Sequence, residues 1–255
     1  MLTNGVGVAR HKARHKVSVQ EASVPELESL GYWYDLAGHR YTDIDGLITG
    51  ALRTTEAGFL GSATGGRSVI DRLHSIDAVP RQDWYWGCTL ILSIRVDDQT
   101  AGMLVIGAHD RLWKTFGEAA YGPAIHAKVS DEVYDKAEGE FVTTILSSSK
   151  LHMVAVDPAH RGRGHGRRLV NSAVDRLVKG GTVMIYGQFT GDRDLRGYYS
   201  SLGFDVLGKG EPLNMALATG KDIWLTAQPD DTMFVRHFRP RLPPTRHGNN
   251  GHARS

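Results

Sequence analysis

The residues with the clearest chemical potential form a basic, glycine-rich turn, RGRGHG, at residues 161–166. Its three glycines lack Cβ atoms, so the backbone can turn tightly and bring its N–H groups close to a ligand. Arg161, Arg163 and Arg167 add positive charge, and a helix after the turn would add unpaired amides and the positive end of its dipole. The turn therefore predicts a site for a phosphate or pyrophosphate group.

The elements around this turn are predicted to be a strand before it and a helix after it. Residues 151–156 are mostly apolar and rich in valine, and Asp157-Pro158 stops them as a largely buried strand is stopped. Gly180-Gly181 supplies a left-handed end for the helix. The apolar residues of the helix recur at helical spacing: Leu169, Val170, Ala173, Val174, Leu177 and Val178.

Two familiar phosphate-binding loops do not fit this turn. No Gly-Lys-Ser/Thr closes it, which argues against an ATP-type P-loop. The dinucleotide fingerprint places its first glycine directly after the strand, whereas residues 157–160 intervene here. A basic surface loop without a ligand is the plain structural alternative.

The turn resembles the acyl-CoA-binding motif of the GNAT superfamily of N-acetyltransferases. Arg161, Gly164 and Gly166 fill its pattern, Gln/Arg-x-x-Gly-x-Gly/Ala. A second segment, GDRDLRGYYSSLGFDVL at residues 191–207, is similar to the family's Tyr-x-x-Leu-Gly-Phe signature. Its matching residues are Tyr199, Leu202, Gly203 and Phe204. A strand candidate at residues 182–186 separates the two motifs, so the resemblance covers residues 150–207 by motif and the remainder by topology alone.

The resemblance implies an α/β (α+β) fold of the GNAT type, in which helices flank a mixed, mostly antiparallel central sheet. We expect a flexible basic arm at residues 1–16 and a single acetyltransferase domain at residues 17–238. A long insertion at about residues 109–149 would precede the central strand. Residues 239–255 are rich in Pro, Gly, Arg and His without periodicity, which predicts a disordered tail.

Patterning predicts further elements on both sides of the insertion. Apolar residues recur at every second position from Trp86 to Val96, which indicates one strand of a hairpin. Cys88 would lie on the apolar face of this strand as a packed core thiol. A capping box at residues 23–26 would open one helix running toward Tyr34. The other predicted elements are strands at 17–20, 101–108, 141–146, 205–207 and 233–238, helices at 42–52 and 67–76, a loop at 54–66 and a turn at 97–100.

The resemblance implies acetyl-CoA as co-substrate and assigns the donor-binding residues. The backbone of the central strand near Val154 and Val156 would pair with the pantetheine arm, and one of its amides could stabilise the oxyanion. The turn would hold the pyrophosphate through Arg161, Gly162, Arg163, Gly164, His165 and Gly166.

Two residues are implied as catalytic. Tyr199 matches the tyrosine that family members place near the thioester sulfur, and a phenol of pKa about 10 can donate a proton to the leaving thiolate. Tyr198 is expected to point elsewhere on the helix. His152 lies in an LHxxAV context similar to arylalkylamine-type acetyltransferases, which suggests a general base. Simple packing of both residues remains the alternative, and the reserve bases are Glu138, Glu140 and Asp192.

The predicted function is an N-acetyltransferase that acetylates a primary amine of a small, cationic molecule or of a protein. The acidic residues of the insertion favour a cationic amine, although a solvated charged loop explains them equally well. Two alternatives stay open: a toxin-like enzyme acting on aminoacyl-tRNA through the basic termini, and a non-catalytic CoA-binding regulatory module. Aromatic residues 32–34 could touch the acceptor or belong to the core, and a homodimer is also open.

Composition limits the partners, the compartment and the kinds of site that the protein can have. The net charge of +2 over 255 residues is too small to imply a polyanionic partner. Cys88 is the single cysteine, which excludes an intrachain disulfide and favours a reducing compartment. No window approaches the ~20 apolar residues of a membrane span, and neither HExxH nor paired cysteines occur. We therefore expect a cytoplasmic protein with no metal site and no membrane contact.

Overall fold

A computed structural model describes residues 15–38, 43–58, 60, 84–109, 147–191, 194–220 and 222–238. The strands of this part of the chain are β1 (Val17–Glu21), β2 (Thr89–Val96), β3 (Gln99–Gly107), β4 (Ser148–Val156), β5 (Met184–Thr190), β6 (Asp205–Lys209), β7 (Leu213–Asn214), β8 (Trp224–Leu225) and β9 (Asp231–His237). Its helices are α1 (Val24–Glu28), α2 (Leu30–Ala37), α3 (Ile44–Glu56), α4 (Trp84–Gly87), α5 (His165–Lys179), α6 (Arg196–Ser200) and α7 (Ala216–Thr219), with a 3-10 turn at Pro158–His160.

The described strands form a seven-stranded sheet in the order β1-β2-β3-β4-β5-β9-β6, beside a two-stranded sheet of β7 and β8. All neighbouring pairs are antiparallel except β4 and β5, which run parallel. The predicted fold class, a mixed and mostly antiparallel sheet flanked by helices, is therefore confirmed. The strands predicted at residues 17–20, 205–207 and 233–238 are present as β1, β6 and β9.

Both faces of the sheet are covered, which explains why its central strands are almost continuously apolar. Met103 and Val105 of β3 belong to the core cluster that includes residues of α1, α2 and α3. Their neighbours Leu104 and Ile106 belong to the opposite cluster, which includes residues of α5 and α6. Alternate residues of β3 thus enter different cores, and β4 lies between the two helical layers.

Burial on both faces corrects the prediction for residues 86–96. Trp86 was expected in the strand but lies in α4. Cys88 was expected beside Leu90, yet it packs in the other cluster, with Ile91. Ser93 was expected on the polar face and is fully buried. One polar face is required only where a sheet meets water, and here helices cover both sides.

The β2–β3 hairpin turns more tightly than the sequence predicts. Asp97 and Asp98 both have positive φ, at 50° and 65°, and β3 begins directly after them at Gln99. Two consecutive residues of this kind give the two-residue turn that matches the twist of paired strands, and aspartate tolerates that conformation. The turn predicted over residues 97–100 is therefore shortened to two residues.

The first predicted helix is divided into α1 and α2 at Ser29. The backbone N–H of Ser23 donates to Glu26 Oε2 at 2.8 Å, as a capping box requires. The hydroxyl of Ser29 donates to the Glu26 carbonyl at 2.7 Å and accepts from Trp33 Nε1 at 3.1 Å. A serine side chain that takes a backbone carbonyl competes with the helical ladder, which explains the division.

The second helix begins where its cap was predicted but runs further. Asp43 Oδ1 accepts from the backbone N–H of Gly46 at 3.0 Å, and α3 continues to Glu56 into the predicted loop at 54–66.

The helix predicted at 67–76 and the strand at 141–146 lie outside the described residues. The division into arm, single domain, insertion and tail stays a prediction. No described helix is both long and apolar enough to cross a bilayer.

Candidate active site

The site begins where the two parallel strands separate. β4 and β5 pair from Ser148 with Met184 to Leu151 with Gly187, and the recorded pairing ends there. A cavity of about 610 Å³ lies beyond this point, and residues 151–156 of β4 contribute to its wall. Residues 153–156 remain paired to β3 on their other side. One backbone edge of β4 therefore faces the cavity, as an edge strand that an extended ligand could join.

His152 occupies a bulge in β4 at the start of this open edge. Met153 pairs with Val105 and Leu151 with Ile106, so His152 is the extra residue of the ladder. Bulges redirect side chains, and His152 contributes to the cavity wall. Its Nε2 lies 2.7 Å from the Ala108 carbonyl oxygen. A carbonyl can only accept a hydrogen bond, so Nε2 is the donor and carries a proton.

The glycine-rich turn closes one end of the cavity. Gly162 and Gly164 have φ of 73° and 77°, the left-handed region that glycine enters at little cost. Gly164 is the N-cap of α5, so the first amides of a 15-residue helix follow it. Arg161 Nε donates to the Val156 carbonyl at 3.0 Å, which fixes the turn against the end of β4. The predicted residues that line the cavity are His152, Val154, Val156, Arg161, Gly162, Gly164, His165, Gly166 and Tyr199.

Arg163 differs from the other predicted donor-binding residues. It is exposed and is not among the residues that line the cavity. Its guanidinium is nevertheless near enough to His165 to help lower the pKa of that imidazole, after burial and together with Arg168 and His160. Arg163 therefore contributes a positive field to the turn.

Tyr199 lies on α6 in a stack of aromatic rings and is only 7% exposed. Its ring lies parallel to that of Phe234, with centroids 3.6 Å apart, and meets Phe204 edge to face at 5.9 Å. Phe234 fills the space of a missing side chain, because a Cβ on Gly187 would lie 2.3 Å from Phe234 Cζ. Burial raises the pKa of Tyr199, so its phenol stays protonated at neutral pH.

Tyr198 also lines the cavity, and the prediction that it points elsewhere was wrong. Its ring meets Tyr199 edge to face at 5.1 Å. Burial raises the pKa of Tyr198 to about 12, although the Arg167 charge acts against this. Adjacent helical residues are about 100° apart, yet both rings line the cavity, as does Leu195 at the N-cap of α6. The doublet Tyr-Tyr was the signal that sequence reasoning passed over.

The opposite wall comes from α2 and β5. Leu36, Ala37 and Gly38, at the C-terminal end of α2, line the cavity. Gln188 also lines it and donates through Nε2 to the buried Asp231 carboxylate at 3.0 Å. Sequence reasoning assigned no role to these residues.

The candidate acceptor aromatics divide between core and surface. Trp33 and Tyr34 are buried in the core beneath the sheet. Tyr32 is 52% exposed, and its hydroxyl donates to Asp157 Oδ2 at 3.3 Å. The reserve bases Glu138, Glu140 and Asp192 lie outside the described residues. The described residues contain no group of three or more His, Cys, Asp or Glu side chains suited to a metal ion.

Comparison with solved structures finds similar chains at low identity. The ribosomal-protein-S18-alanine N-acetyltransferase of Escherichia coli is 12% identical, with a TM-score of 0.47 over 90% of this chain and 98% of that one. The yncA protein of Salmonella typhimurium, solved with its cofactor acetyl-CoA, is 13% identical, with a TM-score of 0.46 over 89% of this chain and 97% of that one.

Comparison of sequences finds a curated relative and a family. N-alpha-acetyltransferase RimI of Mycobacterium tuberculosis is 39% identical over 59 residues, which are 23% of this chain and 36% of that protein. The match thus spans about a third of the relative's length. Residues 126–206 match the family model described as the acetyltransferase (GNAT) domain. Residues 126–206, about a third of the chain, are therefore similar to the acetyltransferase domain of the GNAT family.

Proposed function

We propose that the protein is an acetyl-CoA-dependent N-acetyltransferase that acetylates a primary amine of a protein or of a small, cationic molecule. The observation that carries the proposal is the open backbone edge of β4 beside a cavity of about 610 Å³, with the glycine-rich turn at its end. An extended arm ending in a diphosphate fits such a combination of strand edge and anion-binding turn.

The donor would bind through backbone groups. The amides at the start of α5 and the turn at Gly162 and Gly164 would hold the diphosphate of CoA. The backbone groups of β4 that face away from β3, near Val154 and Val156, would bind the pantetheine arm as an added strand. A backbone N–H of this edge would also stabilise the oxyanion that forms when the amine attacks the thioester carbonyl.

The proton transfers would use His152 and Tyr199. His152 Nδ1 would take a proton from the acceptor ammonium, directly or through a water, so that the neutral amine can attack. The Ala108 carbonyl accepts the hydrogen bond of Nε2, so Nδ1 is the ring atom proposed for this role. Tyr199 would give its phenolic proton to the sulfur as the C–S bond breaks, so that CoA leaves as a thiol. The nitrogen of the intermediate would lose its extra proton to water, which leaves the product as a neutral amide, and water would return a proton to the Tyr199 phenolate.

A peptide N-terminus is the first acceptor to test, because the curated relative is named as an N-alpha-acetyltransferase. Purified protein would be incubated with acetyl-CoA and a panel of peptides and diamines, and release of the free CoA thiol would be followed. An N-terminally blocked copy of each peptide is the control. Thiol release that needs a free amine is the expected result. If acetyl-CoA does not bind in calorimetry, the proposal is wrong.

A matched pair of glycine substitutions tests the turn itself. Gly164 and Gly181 both have positive φ, at 77° and 103°, and a Cβ on either would meet no atom within 4 Å. Alanine at either position should cost about 1–2 kcal/mol of stability for the left-handed conformation. Only Gly164→Ala should also weaken CoA binding, by about tenfold or more, because Gly181 follows the far end of α5. Equal effects of both variants on CoA affinity would contradict the assignment.

A further inference from the structure

Three side chains of the cavity wall carry buried polar atoms that have no hydrogen-bond partner among the described residues. They are the Tyr198 hydroxyl, both ring nitrogens of His165, and Nδ1 of His160. His165 is only 5% exposed. Such atoms lose their water on burial without recovering a bond, so folded proteins nearly always pair them with protein, water or a ligand. These three residues are called the polar cluster below.

The polar cluster surrounds the first turn of α5. His165 and Gly166 are the first two residues of that helix. The Tyr198 hydroxyl lies over Gly166, 2.9 Å from the position a Cβ would take there. The rings of His160 and His165 are 6.1 Å apart between centroids. The unpaired atoms therefore gather where the helix also presents its unpaired amides, and all of them border one cavity.

The charges around the polar cluster are positive. Burial first, and then the charges of Arg168, His160 and Arg163, lower the pKa of His165, so its ring is neutral and carries one N–H. Arg167 acts on Tyr198 and is held in place by the Ser201 carbonyl at 2.8 Å and the Ser201 hydroxyl at 2.9 Å. Neutral donors inside a field of arginines favour an anionic hydrogen-bond acceptor over a neutral one.

We propose that Tyr198 and His165 donate hydrogen bonds to phosphate oxygens of the acyl-CoA donor, as recognition residues additional to the backbone of the turn. This inference rests on the proposed function and deepens it by giving two side chains a role in choosing the donor. Binding would pair atoms that the free protein leaves without a partner, so removing the Tyr198 hydroxyl should have opposite effects on the free protein and on the complex.

The test measures donor affinity by calorimetry for wild type, Tyr198→Phe, His165→Leu and His165→Gln. Affinity for CoA should fall about tenfold or more in Tyr198→Phe and His165→Leu, as expected for a lost hydrogen bond to a charged group. His165→Gln keeps an N–H donor and should recover part of the loss. Tyr34→Phe removes a buried tyrosine hydroxyl away from the cavity wall and should bind CoA as wild type does.

Two further readouts separate recognition from a structural effect. Inorganic pyrophosphate, measured by displacement of CoA, should lose affinity in Tyr198→Phe by about the same factor as CoA. The melting temperature of the free Tyr198→Phe protein should stay equal or rise, because an unpaired buried hydroxyl is removed. Unchanged CoA affinity in both Tyr198→Phe and His165→Leu, or unchanged pyrophosphate affinity, would overturn the inference while leaving the proposed function intact. Failure of wild type to bind CoA would overturn both.

Discussion

Gly166 and Tyr198 are in such close contact that their substitutions should not act independently. A Cβ on Gly166 would lie 2.9 Å from the Tyr198 hydroxyl oxygen, closer than such atoms approach. Its next contacts, Tyr198 Cζ and Val156 Cγ2, are both at 3.7 Å, which is ordinary packing. Gly166→Ala therefore clashes with one atom, and Tyr198→Phe removes that atom.

Two opposed contributions set the change in the free energy of unfolding that Gly166→Ala should cause. Forcing a methyl group into a filled site costs about 1–3 kcal/mol, because the Tyr198 ring must shift against Tyr199. Alanine in place of a helical glycine gains up to about 1 kcal/mol. We expect Gly166→Ala to destabilise the wild-type protein by about 1 kcal/mol and to stabilise the Tyr198→Phe protein by up to about 1 kcal/mol. The coupling energy between the two sites should thus be about 1–2 kcal/mol.

Urea unfolding of the wild type, both single variants and the double variant, without CoA, measures this coupling as changes in midpoint at constant slope. Gly31→Ala is the matched control: Gly31 is also the second residue of its helix, and its Cβ would meet Ile44 at 3.6 Å. It should give the same small change with Tyr or Phe at position 198. If Gly166→Ala and Tyr198→Phe are additive within about 0.5 kcal/mol, the contact described here is wrong.

Three other predictions concern ionisable groups. Tyr199→Phe should lower kcat by about 10²–10⁴ with CoA affinity unchanged, and wild-type activity should show no loss from Tyr199 ionisation below about pH 10, since burial raises the pKa of Tyr199. Cys88 is buried, which raises its pKa to about 12, so iodoacetamide at pH 8 should modify it only in urea, as mass spectrometry would show. Burial opposes ionisation of Glu26, but bonds from Thr100 and Ser23 outweigh it and lower its pKa. That stabilisation is present above about pH 4.3 and lost below it, so the melting-temperature deficit of Glu26→Gln should shrink between pH 6 and pH 3.

The local structure of the proposed donor site could be predicted because its sequence pattern is local. A turn that approaches an anion needs glycines in sequence, and the left-handed conformations of Gly162 and Gly164 follow directly from that need. The strand before the turn and the helix after it show their periods within one short segment. Tyr199 could be located by its spacing to Gly203 and Phe204, because one short helix and its end fix all three.

The remaining features depend on contacts between distant segments. Cys88 packs in the other core because β2 begins after it, at Thr89, so the period of two does not extend to Cys88. The bulge at His152 is a property of the β3–β4 register, so sequence located the histidine but not the hydrogen bond between its Nε2 and the Ala108 carbonyl. Tyr198 was misplaced because helical spacing gives only the angle between two side chains, whereas the cavity is wide enough to border both rings.

The position of Tyr199 depends on a residue that has no side chain. Phe234 of β9 occupies the space that a Cβ on Gly187 of β5 would take, and the ring of Tyr199 stacks on Phe234 with centroids 3.6 Å apart. Gly187 is also where the recorded pairing of β4 and β5 ends. Any larger residue at position 187 would displace Phe234, and Tyr199 would lose the surface that holds it at the cavity. The same point in β5 therefore opens the cleft and fixes the proposed proton donor beside it.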